Sequence, residues 1–227
     1  MTAAGDGRLI LYDLDHSPFA ARVRIVAHVK RLPLAIVRPP GGVRSDAYLR
    51  INPLGLVPAL VTEDGTVIPE SEVIVEYLDE RFREPRLLPS DAERRARCRL
   101  ISRVGDLYLA PALKELFERT KSAADPAVVA TLMSPVRKHL AVLEGLLDDG
   151  PLALGHTLTA ADCALAPLLF FVERCAPLAP EAPLLAGRLG AYWDAVRRHP
   201  SVAHVLAEMA ASQVRRAAAR ARGEPED

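Results

Sequence analysis

The periodicity of the apolar residues changes once along this chain, and that change limits the fold more than any other feature. Through the first third, short β-branched or leucine-rich runs alternate with helical patterns. "RLILYDL" reads as a strand, "PFAARVRIVAHVKR" as a helix, "LPLAIV" as a strand and "SDAYLRI" as a short helix; two strands follow in "VPALVTEDGTVI" and a helix in "ESEVIVEYLDERF". In the first helix, Ala21, Val23, Ile25, Val26 and Val29 share one face, with Arg22, Arg24, Lys30 and Arg31 outside it. A glycine-bearing turn joins the two later strands as a hairpin. The order β-α-β-α-β-β-α in about eighty residues is a compact α/β unit. Right-handed crossover is expected to make its first two strand pairings parallel, with the antiparallel hairpin at the edge.

After the proline-rich "REPRLLPSD" the period of two disappears. From Ala92 onward the apolar steps are one, three and four, as in Leu100, Ile101, Val104, Leu107, Tyr108, Ala112, Leu116 and Phe117, a helix expected to bend near Pro111. "PVRKHLAVLEGLLDDG" predicts another helix. "LTAADCALAPLLFFVERC" opens with Thr159 and Asp162 in capping-box positions, with aspartate in place of the usual glutamate. "LLAGRLGAYWDAVRRHP" and "SVAHVLAEMAASQVRR" add two more helices, separated by a His-Pro stop. The expected organisation is an α/β domain over 8–84, a linker over 85–91 and an all-α domain over 92–220.

Lysine plus arginine and aspartate plus glutamate both number 29, so the formal net charge is zero and no nucleic-acid partner is indicated. The locally basic tail "QVRRAAARARGEPED" reads as a solvated, fraying terminus. There is no leader-like segment and no apolar run long enough to span a bilayer, so a cytoplasmic address and no membrane partner are expected. Cys98, Cys163 and Cys175 show no C-x-x-C spacing and read as buried thiols. The six histidines suggest no metal cluster, and no metal is expected. Nucleophile-elbow, zinc-protease, phosphate-loop and dinucleotide fingerprints are all absent from the sequence.

Ser17 stands where a strand signal ends and a helix begins, with proline at the first helical position. Serine is a preferred N-cap, and a cap contributes about 1 kcal/mol, so structure alone can account for it. The same place suits chemistry, because a helix mouth favours anions and a hydroxyl can donate to one. A capping reading is likewise open for Ser71, as is a plain packing reading for Tyr12 and a turn for His16.

"HSPFAARVRI", then "NPLGLVPAL", then "IPESEVIVEYLDE", then "LTAADCALAP", in that order and spread over Leu9 to about Leu206, resemble the cytosolic glutathione transferases, and specifically bacterial members of the serine-type classes (theta, zeta and tau). The resemblance implies a thioredoxin-like N-terminal domain followed by a C-terminal helical bundle. It implies glutathione as co-substrate and Ser17 as the catalytic hydroxyl donating to its thiolate. Val57 would offer its backbone to the cysteinyl part, next to a cis Pro58. Glu70 would take the γ-glutamyl ammonium, and Ser71 with its helix the carboxylate. Asp106 would reach across a homodimer toward the same amine. Phe19, Arg103, Tyr108 and Phe117 would line the site for a small electrophile, and detoxification is the implied role.

The sequence departs from the family at two points. Leu56 stands where a basic or amide residue often holds the glycine carboxylate, leaving Arg38, Arg44 or Arg50 to replace it. "SPFA" stands where redox relatives carry two cysteines, which argues against dithiol exchange. "RVRI" is reminiscent of glutathione-dependent maleyl isomerases, although the paired Ser-Ser-Cys expected with it is missing. Ether cleavage and a non-catalytic binding module are the remaining readings.

Overall fold

The computed structural model describes residues 8–120, 125–179 and 182–223. Contacts divide the chain into two units, one holding 1–85 with 200–227 and the other 86–199.

The first unit is built on a four-stranded sheet of order β2-β1-β3-β4, with β1 at Leu9–Tyr12, β2 at Leu34–Val37, β3 at Ala59–Val61 and β4 at Val67–Pro69. β1 and β2 are parallel across α1, Pro18–Lys30. β1 and β3 are antiparallel, which corrects the expectation that the first two pairings would both be parallel. The link from β2 to β3 holds only turns and the four-residue α2, Asp46–Leu49, capped by Ser45. It re-enters the sheet at the end where β2 left it, so β3 must run back. β3 and β4 form the expected antiparallel hairpin, and α3, Ser71–Arg81, follows.

α1 packs on α3 and also on α9, Pro200–Ala221, which joins this unit although its pattern placed it with the helical domain. With partners on both sides, α1 buries three cations that the pattern put outside. Arg22, 1% exposed, meets Glu72 of α3 at 2.9 Å. Lys30 meets Asp79 at 2.7 Å and donates to the carbonyls of Phe82 and Pro85. Arg24 is held by Asp13, Asp15 and Glu208. Buried charges persist only when paired in this way. The basic tail is correspondingly helical to Ala221; its last residues, 224–227, lie outside the described residues.

The second unit is helical: α4, Ala92–Val104; α5, Ala110–Arg119; α6, Pro126–Leu146; α7, Ala160–Arg174; α8, Gly187–Val196. Where a bend near Pro111 was expected, the helical pattern is instead interrupted earlier, by a widened turn over Gly105–Leu109, and Pro111 sits in the first turn of α5. α6 begins nine residues before the expected Pro135, because Asp125 caps it by accepting from the Ala127 N–H at 2.7 Å and Pro126 opens it. α7 is buried along nearly its whole length, and its capping box is present. One Asp162 oxygen accepts from the Thr159 N–H and hydroxyl, and the other from the Ala153 N–H, each at 2.8 Å. The three cysteines form no disulfide among the described residues, are buried, and all lie in this unit. Among the described residues no helix is long and apolar enough to cross a membrane.

Candidate functional site

Sheet register determines which candidates come together. Val37, Tyr12, Ala59 and Pro69 are successive cross-strand partners, so they form one row across the sheet. Ser17 follows Tyr12 by five residues, Val57-Pro58 immediately precedes Ala59, and Glu70-Ser71 immediately follows Pro69. With strands spaced about 4.8 Å apart, all of them leave the same end of the sheet within roughly 10 Å of strand width.

Ser17 caps α1, accepting from the Ala20 N–H at 3.3 Å. That contact is long, and it uses an acceptor lone pair. Among the described residues the hydroxyl proton has no acceptor, so it can be donated to an anion at the mouth of α1. Ser17 is 8% exposed.

The Val57–Pro58 peptide is cis. The Leu56 carbonyl before it accepts from the Tyr48 hydroxyl and the Asn52 amide, both at 2.8 Å, which pins the loop. Among the described residues neither the N–H nor the C=O of Val57 has a hydrogen-bond partner. An extended peptide can therefore pair with it as an added strand. The Leu56 side chain, 57% exposed, extends from the same loop.

Glu70 has φ 68° and ψ 115°, a region that L side chains rarely occupy. Its carboxylate makes no cap for α3, whereas α1, α2, α4 and α6 each have a side-chain cap. α3 thus begins with a buried Ser71, uncapped N–H groups and an exposed acid held beside them. A carboxylate suits the N–H groups and an ammonium suits Glu70, so the pair is complementary to an α-amino acid.

The loop leading to Ser17 is tied to α9. The Asp15 carboxylate accepts from the Ser212 hydroxyl at 2.7 Å and from Arg215 at 2.6 Å, while the Asp15 carbonyl accepts from Arg24 at 2.9 Å. His16 Nδ1 lies 3.3 Å from an Arg216 nitrogen. Glu208, Ser212, Arg215 and Arg216 form one stripe of the helix. Burial raises the Asp15 carboxyl, but the bonds from Ser212 and Arg215 bring it below its ordinary value. Burial, then Arg216, lowers His16, so its ring stays neutral at pH 7. Asp13, buried with one carboxylate oxygen unpartnered, is pushed up to about 6, chiefly by burial and against Arg24. Sequence reasoning missed this network because its two halves are about 200 residues apart.

The remaining candidates are more scattered. Phe19 is half-buried in the first turn of α1, with the Arg22 guanidinium 5.6 Å from its ring centroid. Tyr12 is half-buried and stacks edge-on with Tyr48, centroids 5.4 Å apart. Arg103, Asp106, Tyr108 and Phe117 belong to the second unit. Arg103 is exposed, Asp106 lies in the widened turn, and the exposed Tyr108 meets His139 at 5.6 Å. Phe117 packs on Phe171 at 5.9 Å, an intrahelical-domain contact. Arg38, Arg44 and Arg50 are all exposed. Arg38 directly follows Val37, which pairs with Tyr12 in the row of strand ends that leads to Ser17.

Comparison with known proteins accords with this geometry. Residues 11–86 match the family model of the glutathione S-transferase N-terminal domain, and residues 126–207 that of the glutathione S-transferase C-terminal domain. The chain belongs to the glutathione S-transferase family. It is 35% identical over 174 residues to a maleylacetoacetate isomerase of Pseudomonas aeruginosa, covering 72% of this chain and 81% of that one. It is 32% identical over 162 residues to a stringent starvation protein A homolog of Coxiella burnetii, covering 71% and 75%. Among solved structures, the holo form of a maleyl pyruvate isomerase, described as a bacterial zeta-class glutathione S-transferase, superposes with a TM-score of 0.68. It is 26% identical, and the match covers 86% of this chain and 95% of that one. The two-part fold, a thioredoxin-like domain with a four-stranded sheet and a helical domain, is that of the family, whose members include glutathione-dependent enzymes.

Proposed function

We propose that this protein binds glutathione at the row of strand ends, holds it as the thiolate with the Ser17 hydroxyl, and adds that sulfur to a small electrophile. The observation that carries the reading is the alignment at one end of the sheet of three complementary elements. These are a donor hydroxyl at a helix mouth, an unpaired backbone edge at Val57, and an uncapped α3 with Glu70 beside it.

Glutathione's thiol has an ordinary pKa near 8.5, so without help only a few per cent is ionised at pH 7. The α1 dipole and a hydroxyl donor both favour the charged form, and a hydrogen bond to a charged group contributes roughly 1.5–3 kcal/mol. At 1.36 kcal/mol per unit, Ser17 therefore lowers the thiol pKa by about one to two units. Serine stays protonated throughout. Strand pairing at Val57 and the grip on the γ-glutamyl end fix the sulfur in place, so that orientation adds to activation. Asp106 from a second copy would complete that grip in a homodimer.

The isomerase relatives favour one form of the chemistry over plain transfer. The thiolate adds to one carbon of a maleyl double bond, and the electron pair moves onto the conjugated carbonyl oxygen. The former double bond rotates, the pair returns, and the sulfur leaves as thiolate. No atom is gained or lost, and glutathione is regenerated. Phe19, in the first turn of α1 beside Ser17, is the proposed first-unit contact for the electrophile.

The test is a pH titration of the bound thiolate's ultraviolet absorbance in wild type and Ser17→Ala, with turnover measured on a panel of halides, epoxides, aryl ethers and maleyl compounds. The reading expects the thiol pKa to rise by about one to two units and turnover at pH 7 to fall by about ten- to a hundredfold. Normal titration and turnover in the mutant would reduce Ser17 to a cap. If wild type binds glutathione but turns over no electrophile, the protein is a binding module.

A further inference from the structure

The sequence suggested no metal cluster, yet among the described residues folding of the first unit brings a set of donors together. His28 in the last turn of α1, and His204 and Glu208 one helical turn apart on α9, each bring a ligand atom within 4.8 Å of the other two. His204 Nε2 lies 3.3 Å from Glu208 Oε1. The two imidazole centroids are 4.3 Å apart, with planes inclined at 59°. Two ligands on one tetrahedral cation with bonds of 2.0–2.1 Å stand roughly 3.3 Å apart. The α9 pair is therefore already at chelating separation, and His28 closes the set by a side-chain adjustment.

The surroundings favour a particular cation class. Glu208 Oε2 accepts from Arg24 at 2.5 Å, which orients the carboxylate and leaves Oε1 facing the histidines, as an outer-shell partner does in a metal site. Arg24 is itself fixed by Asp13 and by the Asp15 carbonyl. Glu208 is the one carboxylate in the set, and one of its oxygens is already engaged by Arg24, too few oxygen ligands for calcium or magnesium, which require several. Attraction must come from imidazole lone pairs, which suit zinc and its neighbours. Both histidines are exposed, so a cation has a path in.

We propose that His28, His204 and Glu208 bind one zinc-class divalent cation, with a fourth position open to water, and that this cation fastens α9 to α1. Because α9 also carries Ser212, Arg215 and Arg216, the ion steadies the helix that holds the loop ahead of Ser17. The proposal does not depend on glutathione binding.

The test uses the full chain, tag removed and stripped with a chelator, titrated calorimetrically with zinc chloride and followed by thermal unfolding. One equivalent should bind with micromolar affinity and raise the unfolding temperature by a few degrees, reversibly with chelator. His28→Ala and His204→Ala are surface changes away from Ser17. Each should weaken binding at least tenfold, abolish the thermal shift, and leave the unfolding temperature of the metal-free protein unchanged. Absence of saturable binding up to about 1 mM zinc would overturn the site, as would equal affinity in both variants.

Discussion

Glu70→Gly should make this protein more stable and, at the same time, a poorer binder of glutathione. Glu70 is held at φ 68° and ψ 115°. A side chain in so sparsely populated a region costs of order 1–3 kcal/mol. Glycine adopts it freely but loses roughly 0.4–1 kcal/mol through a more flexible unfolded chain. The net gain is about 0.5–2 kcal/mol, or roughly 1–5 °C for a chain of this size. The Glu70 carbonyl still accepts from the Ile74 N–H, so α3 keeps its first bond. Binding moves the other way, since losing a charge-assisted contact with an ammonium costs about 1.5–3 kcal/mol, roughly ten- to 150-fold in Kd. Glu70→Ala separates the two effects: it should lose the same affinity while retaining the strained backbone and wild-type stability. Urea unfolding and calorimetric titration with glutathione measure both. If the glycine variant is no more stable than the alanine variant, the conformation is unstrained; if both bind within twofold of wild type, Glu70 does not hold the ligand.

Other changes have equally definite signs. Asp13 has a raised folded pKa, so its contribution is full below about pH 4 and is lost as pH rises through about 6, by up to about 3 kcal/mol. Asp15 is lowered, so its contribution is present above 3.8 and is lost as pH falls below that value. Asp13→Asn should flatten the decline between pH 4 and 6 in urea midpoints, and an unchanged slope would contradict the assignment. Asp162→Ala leaves two buried backbone donors without an acceptor and should cost about 3–5 kcal/mol, against about 0.5–2 for Thr159→Ala; a cost below about 1 kcal/mol for Asp162→Ala would show the box to be incidental. Leu56→Lys, at an exposed side chain whose carbonyl alone is engaged, should leave stability unchanged and tighten glutathione binding about two- to fivefold; weaker binding would mean that the glycine carboxylate lies elsewhere.

Much of the fold was legible because its signals are local. The switch from alternating strand and helix periods to helix alone, the glycine turn between β3 and β4, and the Thr159–Asp162 box each occupy a few adjacent residues. Ser17 was legible as a helix start for the same reason. What escaped depends on distant partners or on backbone angles. Arg22 and Arg24 looked solvent-facing because Glu72 and Glu208, which make their burial tolerable, lie 50 and 184 residues away. Nothing in the identity of glutamate marks Glu70 for a positive φ. His204 and Glu208 share a helical spacing, but His28 joins them only because α9 returns to α1. α6 extends nine residues ahead of Pro135 because Asp125-Pro126 opens it and Pro135 is accommodated inside the helix.

A crystal structure with glutathione bound is the most direct measurement of the central claim. The sulfur should sit at the mouth of α1 within hydrogen-bond distance of Ser17 Oγ, with the cysteinyl backbone paired to Val57 and the γ-glutamyl end against Glu70 and α3. A tripeptide bound with its sulfur turned away from that oxygen would contradict the account.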